Sequence, residues 1–97
     1  MSDSPLPRFD DFAQALRAQG FDEVVERQWP PGEIVPTHTH PFAVEALVVA
    51  GELWLGCGDA APRHLRPGDR FSLAAHQPHD ERYGPDGATY WVARRHA

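Results

Sequence analysis

From Gly20 onward the chain is broken every few residues by proline or glycine: Pro30-Pro31-Gly32, Pro36, Pro41, Gly51, Gly56, Gly58, Pro62, Pro67-Gly68, Pro78, Gly84-Pro85 and Gly87. Ten prolines and eight glycines in 97 residues call for many tight turns. The stretches between them are rich in Val, Ile, Thr, Phe, Trp and Tyr, which suit a pleated strand. This pattern predicts an all-β architecture, a sandwich or barrel of short strands. Closing the sheet would also deal with edges that such strands otherwise expose.

The spacing predicts strands over 22–29, 34–40 and 42–49. Ala50-Gly51-Glu52 reads as a tight turn from which 53–55 returns antiparallel, and 56–59 as another turn. A short strand at 64–65, strands over 71–74 and 77–83, a hairpin loop at 84–87 and a closing strand over 89–94 complete the series. In the closing strand Trp91 and Ala93 share one face, Tyr90 and Val92 the other. Ahead of the strands, Phe9, Phe12, Ala13 and Leu16 fall at i, i+3, i+4 and i+7 and make one apolar stripe. Residues 9–20 therefore read as one short N-terminal helix, with Asp10 or Asp11 near its positive end and Gly20 at its C-terminal stop. Residues 1–8 carry little to bury and read as a flexible N-terminal arm. That leaves one domain over 9–97, with the barrel over 22–95.

Cys57 is the only cysteine, which excludes an intrachain disulfide and a thiolate cluster. In its Gly-Cys-Gly turn it reads as a small packed side chain rather than a nucleophile. No apolar run approaches the roughly 18 residues of a membrane span, and residues 1–5 lack the features of a secretory signal. The expected location is cytoplasmic, with no membrane partner. Net charge is −5, and all nine basic residues are arginines scattered through the chain. An acidic domain without a basic stripe repels phosphate backbones, so nucleic acid is not an expected partner.

Chemistry enters with Gly32-Glu33-Ile34-Val35-Pro36-Thr37-His38-Thr39-His40-Pro41-Phe42-Ala43-Val44-Glu45. On a strand, His38 and His40 project to one face, and such an imidazole pair suits a transition metal. Two solvent-exposed histidines on a polar strand face is the other reading of the same pattern. Glu45 could return a carboxylate toward the pair.

A second stretch, Pro67-Gly68-Asp69-Arg70-Phe71-Ser72-Leu73-Ala74-Ala75-His76-Gln77-Pro78-His79, adds to the first. Together, Gly32-x5-His38-x-His40-x4-Glu45-x5-Gly51 and Pro-Gly-Asp followed by an apolar strand, a turn and His79 resemble the two motifs of the cupin superfamily. The resemblance covers about residues 29–95. It implies a double-stranded β-helix, the cupin or jelly-roll barrel. It also implies one divalent metal ion inside the barrel, held by His38, His40, Glu45 and His79. Fe, Mn, Ni and Zn all accept imidazole-rich ligation.

The chain departs from the family pattern twice. Five residues separate Glu45 from Gly51 where six are usual, and one residue along a strand reverses the face. Val44 therefore stands where the spacing from Gly51 puts the ligand, unless a bulge restores Glu45. Phase leaves the choice open, because Glu45, Leu47 and Val49 face a partner row of Val44, Ala46 and Val48 that is equally apolar. His76 occupies a turn position where the family usually has glycine.

If the strand over 77–83 is regular, Gln77, His79, Glu81 and Tyr83 share one face, and Gln77 and Tyr83 become pocket residues. Glu81 is then a candidate catalytic general base, or a carboxylate that orients a histidine ligand. A solvated charge beside Arg82 is its plainer role. His64 and His96 lack a partner pattern and read as surface residues. Trp29, Trp54 and Trp91 offer aromatic area for the core or for an interface.

The function these features imply is a metal-binding cupin that binds or acts on a small oxygen-bearing molecule, with dioxygenase or isomerase chemistry in reach if it is catalytic. The alternative is a non-catalytic binding or sensing module. The resemblance extends to the barrels that precede helix-turn-helix regulators; no such segment follows here, so a sensor of this kind is expected to work through a protein partner. By the same resemblance, a homodimer is expected.

Overall fold

The computed structural model describes residues 6–58 and 60–96. One helix, α1 (Phe9–Ala18), precedes six strands: β1 (Glu23–Trp29), β2 (Ile34–His38), β3 (Phe42–Gly56), β4 (Arg63–Leu65), β5 (Arg70–Leu73) and β6 (His79–His96). All pairings are antiparallel. The result is the double-stranded β-helix expected of a cupin.

β3 and β6 are the spine. They pair twice, first as Phe42–Gly51 against Ala88–His96, then as Leu53–Gly56 against Asp80–Tyr83. On its other edge β6 carries β1 along Ala88–Arg94 and β2 along His79–Arg82. On its other edge β3 carries β5 along Val44–Leu47 and β4 along Leu53–Leu55. The sheet is thus four strands wide at each end and rolls around its own inner face.

This layout corrects two expectations. Residues 53–55 do not fold back on 42–49, and 84–87 do not reverse the chain, because both halves of β3 find their partners in β6. The register shifts at Val49 and at Glu52, and residues 84–87 have no counterpart on β3, so the two strands bend together as a bulged pair. Glycine makes the bend possible. Gly51 has φ +71 and Gly87 φ +70, and a Cβ on Gly51 would overlap the carbonyl of Gly87 while one on Gly87 would overlap that of Trp29.

Two apolar clusters follow from the pleat. Val44, Ala46, Val48, Leu53, Leu55, Leu65, Phe71, Leu73, Tyr83, Ala88, Tyr90 and Val92 fill the barrel interior, with Cys57 packed at its margin. On the outer face α1 lays Phe12, Ala13 and Leu16 over Val24, Leu47, Trp91 and Ala93. Phe9 meets Trp91 edge-on at 5.3 Å between centroids. The helix closes with Phe21 N–H donating to Leu16 O at 3.1 Å and Gly20 N–H to Arg17 O at 3.0 Å, Gly20 having φ +97. That pair of hydrogen bonds is what a glycine past the last helical turn permits. Of the arm expected over 1–8, residues 6–8 are exposed and outside regular structure, and 1–5 lie outside the described residues. Among the described residues no helix is long and apolar enough to cross a membrane.

Candidate metal centre

His38 and His79 face each other directly across the β2–β6 pairing. A register shift between Val35 and His38 absorbs Pro36, which has no amide to give the ladder. β2 ends at His38, two residues earlier than expected, and His40 lies just beyond. Its backbone is held by the amide of His76, which donates to His40 O at 2.6 Å. His76 is the one non-glycine residue with positive φ among the described residues, at 64°. It stands where the family pattern has glycine, and its own side chain is exposed. The turn thus anchors a candidate ligand through backbone.

The three imidazoles come together as the motif spacing predicts. Ring centroids are 4.3 Å apart for His38 and His79, 4.7 Å for His38 and His40, and 5.1 Å for His40 and His79. One nitrogen from each lies within 4.8 Å of the others. Two of the rings have their tautomer set by the backbone. His38 Nδ1–H donates to Pro36 O at 2.8 Å, and His79 Nδ1–H to Gln77 O at 2.9 Å. In neutral imidazole that leaves Nε2 with its lone pair free. His40 stacks on Phe42 at 4.8 Å and 9°. Burial, then the neighbouring charges of His38 and His79, hold its pKa below the ordinary 6.5, which favours the neutral, ligating form.

Glu45 does not join them. Its carboxylate accepts a hydrogen bond from Ser72 on the outer side of the sheet, in phase with Leu47 under the helix. The bulge at Val49 comes too late along β3 to turn it inward. Val44 occupies the inward position and lines the cavity, as the five-residue spacing to Gly51 suggests. The carboxylate that does reach the histidines is Glu81. It is 6% exposed, and its Oε2 lies 3.7 Å from Nε2 of His38 and 3.7 Å from Nε2 of His79.

Gln77 and Tyr83 also differ from their expected places. Gln77 closes the turn before β6, its Oε1 accepting from Ala74 N–H at 2.9 Å, and its contribution to the centre is the carbonyl that orients His79. Tyr83 is buried behind Glu81, to which its hydroxyl donates. Burial raises its pKa and that of Tyr90, so both remain protonated donors.

The cavity in front of the histidines has a volume of about 130 Å³. Its walls include Trp29, Val35, Phe42, Leu73, Tyr90 and Val92, with two cations, Arg27 and Arg94. Arg27 lies over the Trp29 ring at 5.0 Å and Arg94 over Phe42 at 5.4 Å. Arg94 also donates to Glu23 at 3.1 Å and holds that carboxyl below its usual range. Neither lining arginine stands out in the sequence from the seven others scattered along the chain. The alternation Tyr90, Val92, Arg94 carried a signal for one of them, since all three share a face.

His64 and His96 are surface residues, as expected; His64 stacks on Trp54 at 4.6 Å and bonds Glu52 at 2.6 Å. The tryptophans divide three ways. Trp29 lines the cavity, Trp91 lies under the helix, and Trp54 sits half-exposed beneath Arg82.

The donor set fits a divalent ion. Nitrogens within 4.8 Å of one another would draw in by up to about 1.4 Å, to separations of roughly 3.4 Å, to share bonds of about 2.1 Å on one tetrahedral ion. An ion held by these three imidazoles alone would keep positions for further ligands.

A search of curated proteins found no match. Among solved structures, a chain from the structures of the DMSP lyases RdDddP and RnDddQII is 27% identical, with a TM-score of 0.70 over 76% of this chain and 38% of that one. The DMSP lyase DddQ from Ruegeria pomeroyi DSS-3 is 30% identical, with a TM-score of 0.64 over 74% of this chain and 36% of its own. An RmlC-like cupin from Shewanella frigidimarina NCIMB 400 is 24% identical, with a TM-score of 0.66 over 76% of this chain and 65% of its own. This chain therefore spans little more than a third of the length of the two lyases. Residues 20–96 match the AraC-like ligand binding domain. The chain belongs to that family, within the cupin superfamily.

Proposed function

We propose that the protein holds one divalent ion, Fe, Mn, Ni or Zn, on His38, His40 and His79, and binds a small oxygen-bearing molecule in the cavity beside it. The observation that carries this reading is the convergence of three imidazole nitrogens within 4.8 Å, two of them aimed by backbone carbonyls. When bound, the ion would supply Lewis-acid polarisation of a ligand oxygen. The chain's own residues do the rest. His38 and His79 keep Nε2 turned inward; Phe42, Val44, Leu73 and Val92 exclude water; Arg27 and Arg94 bring positive charge to the wall, which favours a ligand carrying a carboxylate.

Lyase chemistry on such a ligand is in keeping with the DMSP lyases among its structural neighbours. The second reading, a binding or sensing module without catalysis, is favoured by the family match itself. The two separate on what is recovered. A ligand that stabilises the protein thermally and returns unaltered supports the sensor; metal-dependent turnover supports the enzyme.

The experiment for the ion is metal analysis of protein purified without a histidine tag. About one equivalent is expected, and His38→Ala or His79→Ala should abolish it. Stoichiometric metal retained in both variants would contradict the reading. A cytoplasmic location and a homodimer are carried as part of the same proposal.

A further inference from the structure

The two oxygens of Glu81 have different surroundings. Oε1 accepts hydrogen bonds from the Tyr83 hydroxyl and, at 3.5 Å, from the Tyr90 hydroxyl. Tyr90 is in turn held by Trp29 Nε1–H at 3.0 Å, and the Trp29 ring stacks on Tyr83 at 5.0 Å and 15°. Three aromatic side chains from β1 and β6 therefore fix one oxygen in place. Oε2 is turned the other way, 3.7 Å from the Nε2 atoms of both His38 and His79.

Those two nitrogens carry lone pairs in the neutral rings, because each Nδ1–H is already donated to a carbonyl. Three electron-pair donors thus converge with no hydrogen among them. They do so around a carboxylate that is 6% exposed and whose ion-pair partners among the described residues are these imidazoles alone. Burying a carboxylate without a compensating cation is costly. A cation placed between the three atoms removes both the repulsion and the uncompensated charge.

We infer that Glu81 supplies a fourth ligand through Oε2, taking over the role that the cupin resemblance assigns to Glu45. The inference rests on the three-histidine reading above. Strand geometry supports it: His79 and Glu81 stand at i and i+2 on β6, opposite β2, so the carboxylate arrives on the same face as the histidine. Tyr83 and Tyr90 are then positioning residues. They hold Oε1 so that the other oxygen stays turned to the ion.

The test uses untagged metal-free protein titrated with Co(II), read by calorimetry and by visible absorption. Glu81→Gln, which keeps the acceptor for Tyr83, is expected to weaken binding by about 100-fold, at the upper end of what loss of a tuning group costs, and to change the Co(II) spectrum. Glu45→Gln should leave both unchanged. In the wild-type protein, Zn(II) should move the side-chain carboxyl carbon resonance of Glu81 and not that of Glu45, a readout that needs no variant to fold. Wild-type affinity and spectrum in Glu81→Gln, or a shift at Glu45 instead, would overturn the inference while leaving the histidine site intact. His79→Ala serves as the control. If that variant binds Co(II) as the wild type does, the three-histidine reading itself fails, and the proposal for Glu81 with it.

Discussion

The state of His40 follows from its neighbours. Burial is the largest influence depressing its pKa, followed by repulsion from His38 and His79, and Glu81 only partly offsets them. A folded-state pKa below the unfolded value means that the unfolded chain takes up the proton first. Stability contributed by neutral His40 is therefore present above about pH 6.5 and lost as pH falls below it. The metal-free protein should show a falling melting temperature between pH 7 and pH 5, and His40→Gln should flatten that fall. Identical pH profiles for the two proteins would remove His40 as its source. Strand periodicity put His38 and His40 on one face, and the resemblance to the two cupin motifs added His79 to them. Glu45 could not be placed this way, since Val44, Ala46 and Val48 form a row as apolar as its own. Glu81 was legible as a carboxylate on the His79 face, a candidate base or orienting group, but its surroundings depend on Tyr90 and Trp29, which are distant in sequence and reach it through the roll of the sheet.

Among the elements, β3 and β6 determine where everything else lies. Gly51 and Gly87 mark the bend, and in the sequence they read as turns because glycine with a left-handed backbone serves both a reversal and a bulged crossing. What distinguishes the two is the partner of the following segment, a long-range fact. For this reason 53–55 reads in the sequence as a returning strand and 84–87 as a hairpin loop, whereas the helix, whose stripe and stop are local, was placed nearly to the residue. Gly51→Ala would force a methyl group into the carbonyl of Gly87 at φ +71, so the strands must part or the backbone must change region. The expected loss is about 2 kcal/mol or more, measurable by urea unfolding. A variant within 0.5 kcal/mol of wild type, the range of ordinary surface changes, would contradict the account of the bend. Leu16, 2% exposed beneath α1, gives the comparison: Leu16→Ala should cost about 2 to 4 kcal/mol by leaving a cavity without disturbing metal binding.

At the scale of the molecule, one sheet rolled on itself separates two duties. The outer face is stabilised by α1 over Leu47 and Trp91, and the inner face is left to enclose a cavity with histidines, one carboxylate and two arginines. Folding and site chemistry can therefore be perturbed independently. Light scattering on the purified protein should return twice the 10.8 kDa of the chain if the homodimer holds, and a mass of one chain would end that proposal. The central claim is that the inner face focuses three imidazoles on one ion. Anomalous diffraction from crystals of the untagged protein, collected on either side of the absorption edge of the bound metal, tests it most directly. The account predicts a single strong peak within bonding distance of Nε2 of His38 and His79 and of the His40 ring. A map with no peak there from metal-supplemented protein, or a peak bonded elsewhere, would contradict it.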